Sequence, residues 1–183
     1  FSGTSGLPIP PLLENILVTI KDKTVLDLGA GLGSGFCTYL LETGLRPSRL
    51  YSLDYDRQNF TTDAYPRVNK IVGSATTLPL KSSSLDLVYS HELTLDHTRL
   101  DYISTLQEIR RVLRPGGTYI ADEYFDEIHR LCALHPRLVE KTGDYVHLID
   151  NEKHLEALGF LPVLRAIYLP QDKPTKGALY LLQ

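Results

Sequence analysis

The chain contains no methionine, not even at position 1, and only two cysteines, Cys37 and Cys132, in 183 residues. Either the start has been removed or methionines have dropped out of the sequence; in the second case some spacings are one residue short. The cysteines are far apart and match no metal-ligand spacing, which disfavours a structural disulfide and favours reduced thiols in a cytoplasmic protein. No run of Lys and Arg exceeds two residues and the net charge is -3. That excludes a polybasic stripe for nucleic acid or anionic lipid, though not a local basic patch assembled by folding. No apolar stretch approaches the ~20 residues of a membrane span, and no signal peptide opens the chain. What remains is 43% hydrophobic and 22% charged, the balance of a globular domain. The length suits one domain over 1–183, with the Gly/Ser/Pro-rich FSGTSGLPIPP (1–11) as a mobile arm.

Periodicity divides the chain into alternating elements. A short amphipathic helix is expected at 12–20 and a buried strand at 24–28. A helix follows over 36–42, stopped near Gly44. RLYSLD (49–54) is a second strand, 57–64 a weak helix, 70–72 a short third strand and LDLVYS (85–90) a fourth. Leu100, Ile103, Leu106, Ile109, Val112 and Leu113 recur at helical spacing, and RPGG (114–117) ends that helix and turns the chain. A fifth strand spans 118–122. Residues 125–148 carry little pattern. NEKHLEALGF (151–160) reads as a helix closed by Gly159, with Asp150 as N-cap. Residues 161–168 and 178–182 read as a terminal antiparallel pair. Strands alternating with helices imply a parallel, doubly wound α/β sheet, whose ligands bind beyond the carboxyl ends of the strands.

VLDLGAGLGSG (25–35) lies at such an end. Glycine at 29, 31 and 33 permits positive φ and strips Cβ atoms from the face of the loop, so a ligand can approach the backbone N–H groups above a helix N-terminus. A ligand-free tight turn is a poor use of so many glycines. A GxGxxG dinucleotide fingerprint fits badly: counting from Gly29 its sixth position is Ser34, and counting from Gly31 it is Phe36, where close helix–strand packing asks for Gly or Ala.

The third pattern is DxGxGxG: Asp27, Gly29, Gly31, Gly33. With SLDYD (52–56), IVGSATTLPLKSSSLDLVYS (71–90) and LQEIRRVLRPGGTYIADE (106–123) following in order, the chain resembles the class I S-adenosylmethionine-dependent methyltransferases from about Val25 to Leu182. The resemblance implies a Rossmann-like seven-stranded sheet, order 3-2-1-4-5-7-6, with the last strand antiparallel. It implies S-adenosylmethionine as cofactor and S-adenosylhomocysteine as product. Gly29 and Gly31 would then let the methionine portion lie against the loop, Asp27 would help position its ammonium group, and Ala30 and Gly33 would also belong to the cofactor site. Asp54 would accept both ribose hydroxyls, with Asp56 taking that role if the register slips, and Tyr55, Ser74, Ala75 and Ser90 would complete the cofactor site. The sequence departs from the family at Ser74, which stands where many members carry an acid for the adenine amino group; Thr76 or Thr77 would then assist.

SHELTLDH (90–97) follows the fourth strand, beside the place where the family holds the transferred methyl. His91 and Glu92 are the candidate bases; Asp96 and His97 have capping as their plainer role. Asp122 and Glu123, at the end of the fifth strand, could also face the acceptor. His129, His135, His147 and His154 form no local metal site, and no metal is expected. Methyl transfer asks mainly for alignment of nucleophile and methyl, and a base only where the acceptor must lose a proton. The compact form is most similar to small-molecule methyltransferases such as those of quinone biosynthesis, so a small-molecule acceptor is expected, with no membrane span and no nucleic acid. The alternatives are an RNA or protein methyltransferase, a catalytically inactive cofactor-binding partner subunit, and an NAD-dependent oxidoreductase.

Overall fold

The computed structural model describes residues 17–32, 34–60, 66–91, 93, 99–124, 140–142, 145–147, 159–160, 162–168 and 177–182. The 1–11 arm, Gly33, Glu92, Asp96, His97, His129, Cys132, His135, His154 and all but the last two residues of the helix expected over 151–160 lie outside them.

A seven-stranded sheet forms the centre, in the order β3-β2-β1-β4-β5-β9-β8. Its strands are β1 (Thr24–Leu28), β2 (Arg49–Asp54), β3 (Val68–Val72), β4 (Leu85–His91), β5 (Leu113–Tyr124), β8 (Pro162–Tyr168) and β9 (Gly177–Leu182). β1 to β5 pair in parallel. β9 runs antiparallel to both β5 and β8. A separate hairpin, β6 (Glu140–Thr142) with β7 (Tyr145–His147), falls in the stretch where the sequence shows no pattern. Helix α1 (Gly35–Glu42) follows the glycine loop, and helix α2 (Arg99–Val112) precedes β5. The weak helix expected after β2 is a 3-10 turn at Arg57–Phe60. No helix among the described residues is long and apolar enough to cross a membrane.

All five residues of β1 are buried because the sheet is covered on both faces. Strand alternation sorts the core into two layers. Leu26, Leu28, Leu53, Val88 and Tyr119 face Leu106, Ile109 and Val112 of α2. Val25, Leu50, Leu87, Tyr89 and Ile120 face Phe36, Cys37 and Leu40 of α1. Phe36 stacks on Tyr89 with ring centroids 3.9 Å apart.

Two departures from the sequence expectation have clear causes. β3 begins at Val68, because Val68 and Asn69 are already in register with Leu50 and Tyr51. RPGG lies within β5 rather than before it. Leu85 pairs with Leu113 and Leu87 with Thr118, so residues 114–117 bulge out opposite Asp86. Gly116 has φ +75°, and a Cβ on Gly117 would lie 2.9 Å from the Arg114 carbonyl. The turn chemistry is real, but the chain re-enters the same strand. Arg114 Nη1 donates to Asp86 Oδ1 and Oδ2 at 2.9 and 3.0 Å, while Asp86 Oδ2 also accepts the Thr24 N–H at 2.8 Å, tying β1, β4 and β5 together at their amino ends.

The long loop from β3 to β4 is clamped onto α2 by Arg111 and Glu108. Arg111 donates to Glu108 at 2.7 and 2.8 Å and to the carbonyls of Leu78 and Leu80, both at 2.9 Å. Glu108 Oε2 accepts the Leu78 N–H at 2.7 Å. The Arg111 bonds, more than the Leu78 N–H, hold the Glu108 carboxyl below its usual value against a partial desolvation cost. Arg111→Met is therefore expected to destabilise the fold at pH 7 by about 1–2 kcal/mol, with the ion-pair share kept small because Arg111 is partly exposed. A lowered folded-state pKa contributes stability above the unfolded carboxylate value of 4.5 and loses it as pH falls through the folded value. Urea denaturation should thus show a wild-type advantage at pH 7 that narrows below pH 4.5. An advantage that stayed constant with pH would assign the effect to packing.

Candidate cofactor site

The carboxyl ends of β1, β2 and β4 meet around the glycine loop. Gly29 and Gly31 take φ of +70° and +59°, values that disfavour any side chain. The N–H groups of Gly29 and Ala30 both donate to the Leu53 carbonyl, at 2.9 and 3.1 Å, which folds the loop back over the end of β2. The two glycines differ in what surrounds them. A Cβ at Gly29 would lie 2.6 Å from Leu93 Cδ1, so the residue after β4 leans on the loop there. A Cβ at Gly31 would meet nothing within 4 Å: its bare backbone faces open space.

Beneath that opening lies Asp54, only 4% exposed. Its Oδ2 accepts the Gly31 N–H at 2.8 Å and its Oδ1 accepts the Asp56 N–H at 2.9 Å. Each carboxylate oxygen offers two lone pairs, so one acceptor position remains on each. Asp56 is instead bonded to the Gln58 N–H, turning the chain into the 3-10 segment. Tyr55, between them, is 78% exposed. Across the neighbouring strand end Gly73 donates to the Asp54 carbonyl at 2.9 Å, which brings Ser74 and Ala75 to the same edge. Ser74 is exposed, and its hydroxyl lies 2.8 Å from the Thr76 hydroxyl while accepting the Thr76 N–H at 3.2 Å. Ala75 is buried.

Asp27 is buried on the α1 face of β1. Its Oδ2 accepts the Cys37 N–H at 3.2 Å, so the carboxylate is engaged with the first turn of α1. Burial pushes its pKa from 3.8 to about 6, against the opposing pull of bonds from the Cys37 N–H, the Cys37 thiol and the Phe36 N–H and of the His91 charge. The Cys37 thiol lies between this carboxylate and the Tyr51 carbonyl, 3.6 Å away. Burial first and the Asp27 charge second raise it well above the usual thiol value, which makes it a packing group and a poor nucleophile. Residue order carries no mark of this Asp27–Cys37 pair, whose members stand ten residues apart on a strand and a helix.

His91 ends β4, half-buried and in register with Asp122 of β5, with its charge felt at Asp27. Ser90, at the end of β4, is fully buried, and its hydroxyl lies 2.9 Å from the Tyr119 hydroxyl. Asp27, Gly29, Ala30, Gly31, Asp54, Tyr55, Ser74, Ala75 and His91 therefore gather at one end of the sheet. The dinucleotide positions are filled otherwise: Ser34, at φ +51°, bonds Ser52 through its hydroxyl at 2.7 Å, and Phe36 fills the helix–sheet gap against Tyr89. Among the described residues no group of His, Cys, Asp and Glu could hold a metal ion.

A Rossmann-like sheet with a bare glycine loop and a buried acid at the next strand end defines a nucleoside-binding domain. Residues 26–121 match the family model for the methyltransferase domain. Over 109 residues the chain is 33% identical to the sterol 24-C-methyltransferase of Pneumocystis carinii, covering 57% of this chain and 28% of that protein. Over 150 residues it is 33% identical to the fatty-acid O-methyltransferase of Mycolicibacterium smegmatis, covering 76% of this chain and 53% of that protein. The chain thus spans 28% to 53% of these relatives' length. A crystal structure of a SAM-dependent methyltransferase from Methanosarcina mazei shares the fold, with TM-score 0.71 at 16% identity over 97% of this chain and 98% of that one. The chain belongs to the class I S-adenosylmethionine-dependent methyltransferases, with S-adenosylmethionine as cofactor.

The open space over Gly31 sets a test. Gly31→Val would project a branched side chain into it at a positive φ, costing about 1–2 kcal/mol of strain without a core clash. The variant should stay folded by circular dichroism and lose S-adenosylhomocysteine binding by calorimetry; retained affinity in the folded variant would remove the loop from the site.

The two acids after β2 give another. Asp54→Ala should weaken S-adenosylhomocysteine binding by roughly tenfold or more, and Asp56→Ala far less. The reverse order would move the ribose contact to Asp56.

Proposed function

We propose that this chain transfers the methyl group of S-adenosylmethionine to a small molecule with substantial apolar character. The observation that carries the cofactor half is the Asp54 carboxylate under the bare Gly31 backbone, with one acceptor position left on each oxygen. That count suits a vicinal diol, one O–H to each oxygen. The acceptor half is supported by relatives named for sterols and fatty acids. We read the β9–β8 edge as the family's closing pair, which gives the order 3-2-1-4-5-7-6 with the last strand antiparallel.

In this reading Gly29, Ala30, Gly31 and Gly33 lie against the methionine portion, and Asp27 acts chiefly by fixing the first turn of α1 beneath it. Tyr55 and Ala75 flank the base, and the Ser74–Thr76 hydroxyl pair stands in for the carboxylate that other members present to the adenine amino group. Ser90 contributes backbone. When bound, the cofactor supplies an electrophilic methyl on a sulfonium. The chain's part is to hold the acceptor in line with that methyl, worth ~7–11 kcal/mol in a well-aligned pair. His91, and Glu92 one residue on, are the bases for an acceptor that must shed a proton.

Titrating S-adenosylhomocysteine and NAD separately tests the cofactor, with binding of the first alone expected. Incubation with labelled S-adenosylmethionine and sterol or fatty-acid acceptors tests the reaction. His91→Ala should lower single-turnover rates by about 10²–10⁴-fold at saturating cofactor while changing cofactor affinity by less than about threefold. A wild-type rate would leave alignment as the main catalytic contribution. Cofactor binding with no transfer to any acceptor would favour the partner-subunit reading, in which the domain supports a second protein.

A further inference from the structure

The opposite end of the sheet carries a cavity. It measures about 440 Å³ and opens where β2 and β3 begin, lined by Leu41, Arg46, Pro47, Ser48, Arg49, Leu50, Arg67 and Asn69. The volume is within the small-ligand range. The lining holds three guanidiniums and no carboxylate.

The arrangement follows from strand register. Leu50 is in register with Val68, so Arg49 and Arg67, one residue earlier on each chain segment, enter neighbouring parallel strands side by side. Like charges placed next to each other on adjacent strands oppose folding. Elsewhere on this surface arginines are compensated: Arg114 bonds Asp86 and Arg111 bonds Glu108. Arg49 and Arg67 pair with no carboxylate among the described residues. Arg46 spends only Nη1, on the carbonyls of Leu41 and Leu45 at 2.7 and 3.2 Å, and this anchors it at the rim. Ser48 and Asn69 are occupied by the Lys23 and Leu50 carbonyls, at 3.0 Å each. The free donors of the cavity are thus guanidinium N–H groups over an apolar floor.

We propose that this cavity binds a phosphate-bearing ligand, held by Arg49 and Arg67 with Arg46 at the rim. A planar guanidinium fork matches two phosphate oxygens at once, and two adjacent forks match a phosphomonoester or pyrophosphate. A small ligand is favoured over a long polyanion because the charge is confined to one cavity on a chain of net charge -3. The site is separate from the glycine loop, which lies beyond the carboxyl ends of the same strands.

Pyrophosphate, titrated into the full chain by calorimetry, is the probe. A dissociation constant at or below about 1 mM is expected. Arg49→Gln and Arg67→Gln should each weaken binding about tenfold or more and together abolish it. S-adenosylhomocysteine affinity should hold in both variants and thermal stability should fall in neither, because both arginines lie at the opposite end of the sheet from the glycine loop and neither makes a side-chain hydrogen bond or ion pair among the described residues. Absence of pyrophosphate binding, or equal binding in the double variant, would overturn the proposal. Vesicles of phosphatidic acid and of phosphatidylcholine separate the sources. Arginine-dependent binding to the first alone assigns the phosphate to a lipid headgroup, and binding to neither, with pyrophosphate retained, assigns it to a free phosphorylated molecule. An RNA oligonucleotide whose affinity rises with length and exceeds that of pyrophosphate would replace the small ligand by a nucleic acid and overturn the assignment.

Discussion

The hydrogen bond from the Gly31 N–H to the Asp54 carboxylate is the contact on which the cofactor end of the molecule depends. It joins the loop after β1 to the end of β2 and turns a flexible glycine run into a fixed surface. It also explains why an acid can be nearly buried there: backbone donors on both oxygens compensate the lost water. Remove the carboxylate and the loop loses its tether to β2. Asp27 does a related task one strand away, where burial raises its carboxyl to about 6 despite the bonds from the first turn of α1.

Much of this was legible from residue order. β1 and β2 have the bounds that their apolar runs suggested, since a doubly covered sheet demands unbroken burial and DxGxGxG stops it abruptly. Asp54 could be found because it is the acid at the end of an apolar strand. The RPGG segment misled because a turn signal says that the chain bends, not whether it leaves the sheet; only the pairing of Leu85 and Leu87 with Leu113 and Thr118 decides that. The Glu108–Arg111 clamp was invisible, since its partners are backbone atoms of Leu78 and Leu80 some thirty residues away. The Ser90–Tyr119 hydroxyl bond was equally invisible, since it joins strands 29 residues apart in the chain.

The same separation of ends organises the charges. Parallel strands place every carboxyl end on one side, where the loops bring acids and bare amides together. The amino ends lie on the other side, where Arg49, Arg67 and Arg114 enter the sheet. A chain whose overall charge is slightly negative can thus carry a locally positive edge that composition does not reveal.

Ser34 shows what this fixing costs and gives. It is a non-glycine residue held at φ +51°, yet the Ser52 hydroxyl 2.7 Å away keeps it there. With Gly31 bonded to Asp54 and Ser34 to Ser52, the loop meets the same strand at two points, and rotation about either one is blocked by the other. Gly31 and Ser34 therefore both hang from β2, so a shift of that one strand would be felt at both.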